Sequence, residues 1–188
     1  AYYDAPNGIL KYTWRTGPNA WTLPEIVDGP TGVTGPFPSL AFGSDGLPRI
    51  SYYGFLANDL KYAWKDSGGV WHSVIADVGG DVGRYTSLVL DGSNNPHISY
   101  RDDGGQDCRY AKGTGTPPTW TYELVDSGGN VGWCTSIAFD LSGVLHISYY
   151  DSTSGDLKYA TRTGLVPLWN TETETADSSD DVGWDTSL

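Results

Sequence analysis

Phe37, Arg84, Tyr85, Trp133 and Trp184 are the side chains best suited to recognise a ligand. They share a setting. Val33 and Gly35 lead to Pro36-Phe37, Val82-Gly83 to Arg84-Tyr85, Val131-Gly132 to Trp133-Cys134, and Val182-Gly183 to Trp184-Asp185. After each glycine the framework stops recurring while bulky aromatic character continues. Aromatic faces stack on sugar rings and a guanidinium binds an anionic group, so the set suits a carbohydrate. The plainer role for the same rings is packing against neighbouring loops, because aromatics are usually core.

Other chemistries have weaker footing. Glycoside hydrolysis needs two carboxylates at a defined separation. Asp28, Asp77, Asp126 and Asp177 recur at a regular interval, which points to turn or cap hydrogen bonds. Glu25 and Glu123 are expected on solvated outer strands, and Asp102-Asp103 sit in a turn with no partner that specifies them. His97 and His146 occupy one repeated position, held by Arg49 in an earlier repeat, so structural hydrogen bonds are expected of them. No Ser-His-Asp spacing emerges. Asp177-Ser178-Ser179-Asp180-Asp181 is oxygen-rich enough for Ca²⁺ but lacks the EF-hand pattern, so a solvated loop is preferred and no metal or cofactor is expected.

The elements that must position these groups are written in a fourfold repeat. Trp21, Trp71, Trp120 and Trp169 are spaced by 50, 49 and 49 residues. Tyr2, Tyr52, Tyr100 and Tyr149 form a second column, and Ser39, Ser87, Ser136 and Ser187, each followed by an aliphatic residue, a third. Lys11, Lys61, Arg109 and Lys158, each followed by Tyr, form a fourth. Within a unit, Thr135–Phe139, Leu145–Tyr150, Leu157–Ala160 and a run from Trp169 read as short strands separated by Gly/Asp/Asn turns. Leu145–Tyr150 alternates apolar with polar as a half-buried strand would. Helical periodicity is absent.

Four antiparallel strands per roughly 49 residues match one β-propeller blade. The expected fold is therefore all-β, one propeller domain over residues 1–188. Its repeats run at about 1–35, 36–84, 85–133 and 134–184, with a closing strand at 185–188. One blade is split: residues 1–28 supply its outer three strands and 185–188 its innermost. Three arrangements are open: a closed four-bladed ring, a fragment of a larger propeller, or a terminal strand donated to a second copy.

Composition bounds the partners. With 11 Lys+Arg against 23 Asp+Glu the formal charge is −12, which disfavours nucleic acid. No apolar run approaches a membrane span. The chain is rich in aromatics (13%) and glycine (25 residues) and contains no Met, which reads as a processed extracellular or cell-surface protein, or a fragment. In that setting Cys108, at the start of a third strand, and Cys134, before the next first strand, are expected on one propeller face and could form a disulfide across adjacent blades. The alternative is two buried free thiols.

Asn95-Pro96-His97-Ile98-Ser99-Tyr100 and Gly155-Asp156-Leu157-Lys158-Tyr159-Ala160 resemble the repeats of secreted bacterial and archaeal β-propeller proteins of the sialidase-like or BNR-like kind, many without known activity. The resemblance covers nearly the whole chain, although the Asp-box S-x-D-x-G-x-x-W occurs nowhere. It implies a propeller. The leading expectation is a non-enzymatic structural or adhesive module, with self-assembly through terminal strands. A lectin-like carbohydrate binder is the alternative, and a sialidase-like hydrolase or lyase the second alternative.

Overall fold

The computed structural model describes residues 1–29, 34–162, 169–170 and 181–188. Among them every regular element is a strand. β1 (Tyr2–Asp4), β2 (Ile9–Tyr12) and β5 (Glu25–Asp28) form a three-stranded sheet, flanked by a separate hairpin of β3 (Arg15–Gly17) and β4 (Ala20–Trp21). Three four-stranded antiparallel sheets follow, each in chain order: β6 (Ser39–Phe42), β7 (Pro48–Gly54), β8 (Asp59–Lys65) and β9 (Trp71–Asp77); β10 (Val82–Leu90), β11 (Pro96–Asp102), β12 (Asp107–Thr114) and β13 (Thr119–Asp126); β14 (Trp133–Phe139), β15 (Leu145–Asp151), β16 (Asp156–Arg162) and β17 (Trp169–Asn170). This is the expected repeat unit, strand for strand.

The hydrophobic core lies between sheets. One cluster joins Leu10, Tyr12 and Val27 of the first sheet to Ile50, Tyr52 and Ala63 of the second. The next joins Leu60, Tyr62 and Ala76 to Ile98, Tyr100 and Ala111, and a third joins Cys108, Tyr110 and Val125 to Ile147, Tyr149 and Ala160. The tryptophan column seals each junction edge-on against the preceding sheet's tyrosine: Trp71 on Tyr12 at 5.4 Å, Trp120 on Tyr62 at 5.5 Å and Trp169 on Tyr110 at 5.2 Å. Stacked sheets bury faces that one sheet alone would expose.

The second strands differ from expectation. β7 and β11 are buried along their whole length, because a sheet lies on each side of them. Their polar residues must then be satisfied internally, and the Thr-Ser columns do this. Thr86 pairs with Ser51 at 2.7 Å and Thr135 with Ser99 at 2.8 Å. The same threonines donate to the Phe37 and Tyr85 carbonyls at 3.0 and 2.8 Å, and Ser39 and Ser87 accept from the Leu88 and Ile137 amides at 3.0 and 3.2 Å. The repeated serine is a spoke between sheets.

The aspartate column does the same work further out. Tyr52 donates to Asp28 at 2.7 Å, Tyr100 to Asp77 at 2.6 Å and Tyr149 to Asp126 at 2.7 Å, always from the following sheet. Asp77 and Asp126 also cap their own turns through the Gly79 and Gly128 amides. Asp177 lies outside the described residues. Glu25 and Glu123 are not the solvated edge groups expected of outer strands. Glu25 grips Lys65 (2.6 Å) and Trp71 Nε1 (2.8 Å), and Glu123 pairs bidentately with Arg162 (2.9 and 2.8 Å), each from the next sheet.

The terminal residues do not reach the first sheet. Thr186–Leu188 forms no strand and pairs with none of the first sheet's strands among the described residues. It lies against the last sheet, with Thr186 donating to the Cys134 carbonyl at 2.6 Å and the Leu188 amide to Ser136 Oγ at 3.0 Å. These are the sheet-to-sheet bonds of the Thr-Ser column. The preceding sheet supplies their partners. Among the described residues the sheets do not close into a ring.

Candidate functional site

Four of the five expected ligand residues meet. Phe37 and Tyr85 have ring centroids 4.5 Å apart, Tyr85 and Trp133 5.3 Å, and Trp133 and Trp184 6.4 Å, forming a continuous arc of rings. Tyr150 stacks on Trp184 at 4.9 Å and 30°, and Tyr53 meets Phe37 at 6.4 Å. Trp184 is 53% exposed and Phe37 36%. Beside Phe37 and Tyr85 lies an open pocket of about 250 Å³ lined by two repeat columns, Phe37/Tyr85/Cys134/Asp185 and Pro38/Thr86/Thr135/Thr186.

A backbone device aims these side chains. Arg84, Tyr85, Trp133 and Cys134 were expected in loops, but they sit on β10 and β14, whose pairing starts before the anticipated repeat boundaries. Register shifts between Arg84 and Ser87, and between Trp133 and Ser136, mark bulges there. Phe37, Tyr85 and Cys134 take positive φ of 55°, 52° and 49°. A bulge keeps the ladder on both sides while turning one side chain off the sheet face, and here it turns one from each repeat toward the common cavity.

A second column, Tyr53/Arg101/Tyr150, completes the site. Each member stacks on one of Arg84/Trp133/Trp184: Arg84 lies 5.0 Å over the Tyr53 ring, Arg101 4.3 Å over the Trp133 ring, and Tyr150 stacks on Trp184. Sequence reading passed over this column, although the Tyr-Tyr pairs 52–53 and 149–150, broken by Arg at 101, signal it. Arg84 is not free to bind an anion. Its Nε lies 2.9 Å from Asp103 and its Nη2 3.4 Å from Asp81. Arg101, 2% exposed, holds Asp103, the Val131 carbonyl and Asn130 Oδ1 (2.6 Å). Asn130 also accepts from Trp133 Nε1 at 3.0 Å, and Asp181 accepts from Tyr150 and from Trp184 Nε1 at 3.2 Å. The mouth is thus an aromatic platform fringed by carboxylate, amide and guanidinium groups held in place.

The remaining candidates are structural or corrected. Asp102 accepts from the Gly105 amide at 2.9 Å and lies 3.0 Å from Arg109 Nε. The loop considered for Ca²⁺ lies outside the described residues except for Asp181, and no group of metal ligands occurs among the described residues. The disulfide is not formed: Cys108 and Cys134 are free thiols. Cys108 faces the core between the third and fourth sheets, while Cys134 lines the mouth cavity. Side chains directed into different compartments cannot meet at disulfide geometry. Burial pushes both thiols up, which leaves neither a ready nucleophile.

His97 and His146 are framework groups. His97 Nδ1 lies 2.5 Å from the Tyr110 hydroxyl and its Nε2 3.5 Å from Asp91; His146 makes the same pair with Tyr159 and Asp140. Burial pushes His97 down to about 4 against the pull of Asp91. An unfolded histidine protonates near pH 6.5, so between that pH and about 4 the unfolded state binds the extra proton and stability falls with pH. His97 is expected to remove about 3 kcal/mol across this window. Urea midpoints at pH 7 and pH 4 would show it, and His97→Gln should flatten the slope.

No protein-family model and no curated protein matches the chain. Among solved structures it is similar to a GH43 β-1,3-galactosidase, at 14% identity and a TM-score of 0.54 over 73% of this chain and 31% of that one. It is also similar to a fucose lectin from Kordia zhangzhouensis in complex with methyl-fucoside (15% identity, TM-score 0.44, 73% and 99% covered). A third is a Hadza microbial sialidase (12%, 0.39, 77% and 48%). The chain spans about a third of the galactosidase's length and about half of the sialidase's. At these identities the likeness is one of fold, and what it shows is an all-β, propeller-like succession of antiparallel sheets.

Proposed function

We propose that the protein is a non-enzymatic, extracellular carbohydrate-binding module that holds a glycan on the aromatic platform of its mouth. The observation that carries this reading is the unbroken arc Phe37–Tyr85–Trp133–Trp184, with its two ends open to solvent and a pocket beside Phe37 and Tyr85. Rings buried among themselves would serve packing alone. Rings with open faces beside Asp181, Asn130 and Asp103 offer what a pyranose needs, an apolar surface for its C–H face and fixed polar groups for its hydroxyls. The adhesive role expected from the repeats is thereby narrowed to adhesion through glycans. The galactosidase whose fold the chain resembles acts on a sugar, which agrees with the reading without carrying it.

Binding without hydrolysis is favoured by the state of the acids. A hydrolase sets two carboxylates either side of the scissile bond, one of them kept protonated. Around the mouth Asp81 and Asp103 are ion-paired to Arg84 and Arg101. The hydrogen bond from Tyr150, with that from Trp184, holds Asp181 below the usual carboxylate range.

A glycan array followed by titration of Trp184→Ala tests this. Trp184 is exposed enough to be removed without disturbing a core, and its loss should weaken binding about tenfold or more, the value of one stacking contact. An array without hits, or unchanged affinity in Trp184→Ala, overturns the reading.

A further inference from the structure

Arg49 is the guanidinium in a column of imidazoles. Its column holds His97 and His146 in the later sheets, where each imidazole closes on a tyrosine hydroxyl. Arg49 keeps the turn carboxylate of that column, Asp45 at 2.8 Å where His97 has Asp91 and His146 has Asp140, and adds the Lys65 and Pro48 carbonyls at 3.2 and 3.3 Å. It is 9% exposed, yet with Asp45 it lines a groove of about 190 Å³ between the second and third sheets. The turns bounding this groove join β10 to β11 and β12 to β13, whereas the mouth sits beside the turns joining second strands to third. The two sites therefore lie at opposite ends of the strands.

A second departure from the repeat falls in the same groove. Tyr12, Tyr62, Tyr110 and Tyr159 are followed two residues on by Trp14, Trp64, Lys112 and Thr161. Trp64 lines the groove beside Tyr62 (6.0 Å, 23°) and His72 (5.2 Å, 19°), giving it an aromatic wall. On the opposite rim Asn94, in the left-handed region at φ 63°, accepts from the Ser44 amide at 2.7 Å through Oδ1. That bond fixes the amide and leaves its NH₂ as the available donor. Ser93 and Thr116 add hydroxyls. One aromatic wall, a guanidinium–carboxylate pair and a fixed amide are the elements of a monosaccharide site. Asp45 neutralises Arg49 and the chain carries a formal charge of −12, so an acidic sugar is disfavoured.

We propose that this groove is a second carbohydrate site, taking a single uncharged pyranose with its C–H face on Trp64 and its hydroxyls on Arg49, Asp45 and Asn94. It is separate from the mouth, and its residues are not among those forming the aromatic arc.

The repeat supplies its own controls. Arg49→His and Trp64→Lys install residues that the later sheets already carry at these columns, so the sheet should fold. Saturation-transfer NMR of the full chain with the methyl glycosides of glucose, galactose, mannose and fucose should show transfer from at least one. Arg49→His and Trp64→Lys should each weaken that sugar about tenfold or more with unchanged circular dichroism, and Trp184→Ala should leave it bound. The proposal is overturned by absence of transfer from all four sugars, by wild-type affinity in the Arg49→His/Trp64→Lys double variant, or by tighter binding of glucuronate than of the neutral sugars. Transfer that disappears in Trp184→Ala while surviving in Arg49→His would assign the sugar to the mouth and likewise end it.

Discussion

Gly83→Ala is expected to destabilise the protein by about 3–5 kcal/mol, the range of severe single substitutions. Gly83 has φ +103°, and a Cβ there would lie 2.6 Å from Leu60 Cα and 2.9 Å from its amide nitrogen. Those are backbone atoms of the central strand of the preceding sheet, so no rotamer change makes room. Strain at such a φ costs on the order of 1–3 kcal/mol by itself, and parting two packed sheets adds the rest. The adjacent Val82 amide donates to the Asn58 carbonyl at 2.9 Å, which holds the segment down. Gly132 repeats the contact one sheet later, 2.9 Å from Cys108 Cα. Gly46→Ala is the internal comparison, since Gly46 has φ +73° with nothing within 4 Å of the added atom, and it should cost only about 1 kcal/mol. Urea denaturation separates the cases by midpoint at a common slope. Equal losses in the two variants would show that the close approach is not what the glycine is for.

Arg101→Met ranks second, with an expected loss of about 3–5 kcal/mol, the usual cost of breaking a buried ion pair from one side. It removes the partner of Asp103, Asn130 Oδ1 and the Val131 carbonyl together, and the cation lying 4.3 Å over Trp133. Arg84 still holds Asp103 at 2.9 Å, which places the loss toward the low end. Arg101→Lys should recover less than half, because one ammonium cannot serve the three acceptors that a planar guanidinium fork reaches. Trp133 reports the change directly: its fluorescence should shift in Arg101→Met under conditions where circular dichroism still shows a folded chain. Glycan binding at the mouth should weaken in the same sample, as Asn130 loses the donor that fixes it. A variant with native stability and an unchanged Trp133 signal would remove Arg101 from its place as organiser of the mouth.

The cluster of rings was legible because it interrupts a repeat. Framework positions recur to hold sheets together, and Phe37, Tyr85, Trp133 and Trp184 stand out where recurrence lapses. The guanidinium of Arg84 was misread as a free cation. Its partners are local: Asp81 is three residues earlier, and Asp103 follows β11, which pairs with β10 in the same sheet at Arg84↔Arg101. The outer glutamates were misread because their partners lie on the next sheet: Lys65 and Arg162 are 40 and 39 residues away in the chain. The disulfide failed on direction. Proximity along one face could be inferred from topology, but the compartment into which a thiol points depends on the bulge at Cys134.

Local order was written in the chain itself: strand lengths, antiparallel succession, turn positions and the columns joining each sheet to the next. These follow from side-chain alternation, turn chemistry and a roughly 49-residue period, each of which acts over a few residues or copies itself along the chain. Only the tertiary structure decided which charges neutralise one another, which strands are buried on both faces, and that Thr186–Leu188 lies against the last sheet without joining the first. Those outcomes depend on the distance and angle between sheets. A sequence period counts the residues between two sheets but carries no information on the angle at which their faces meet.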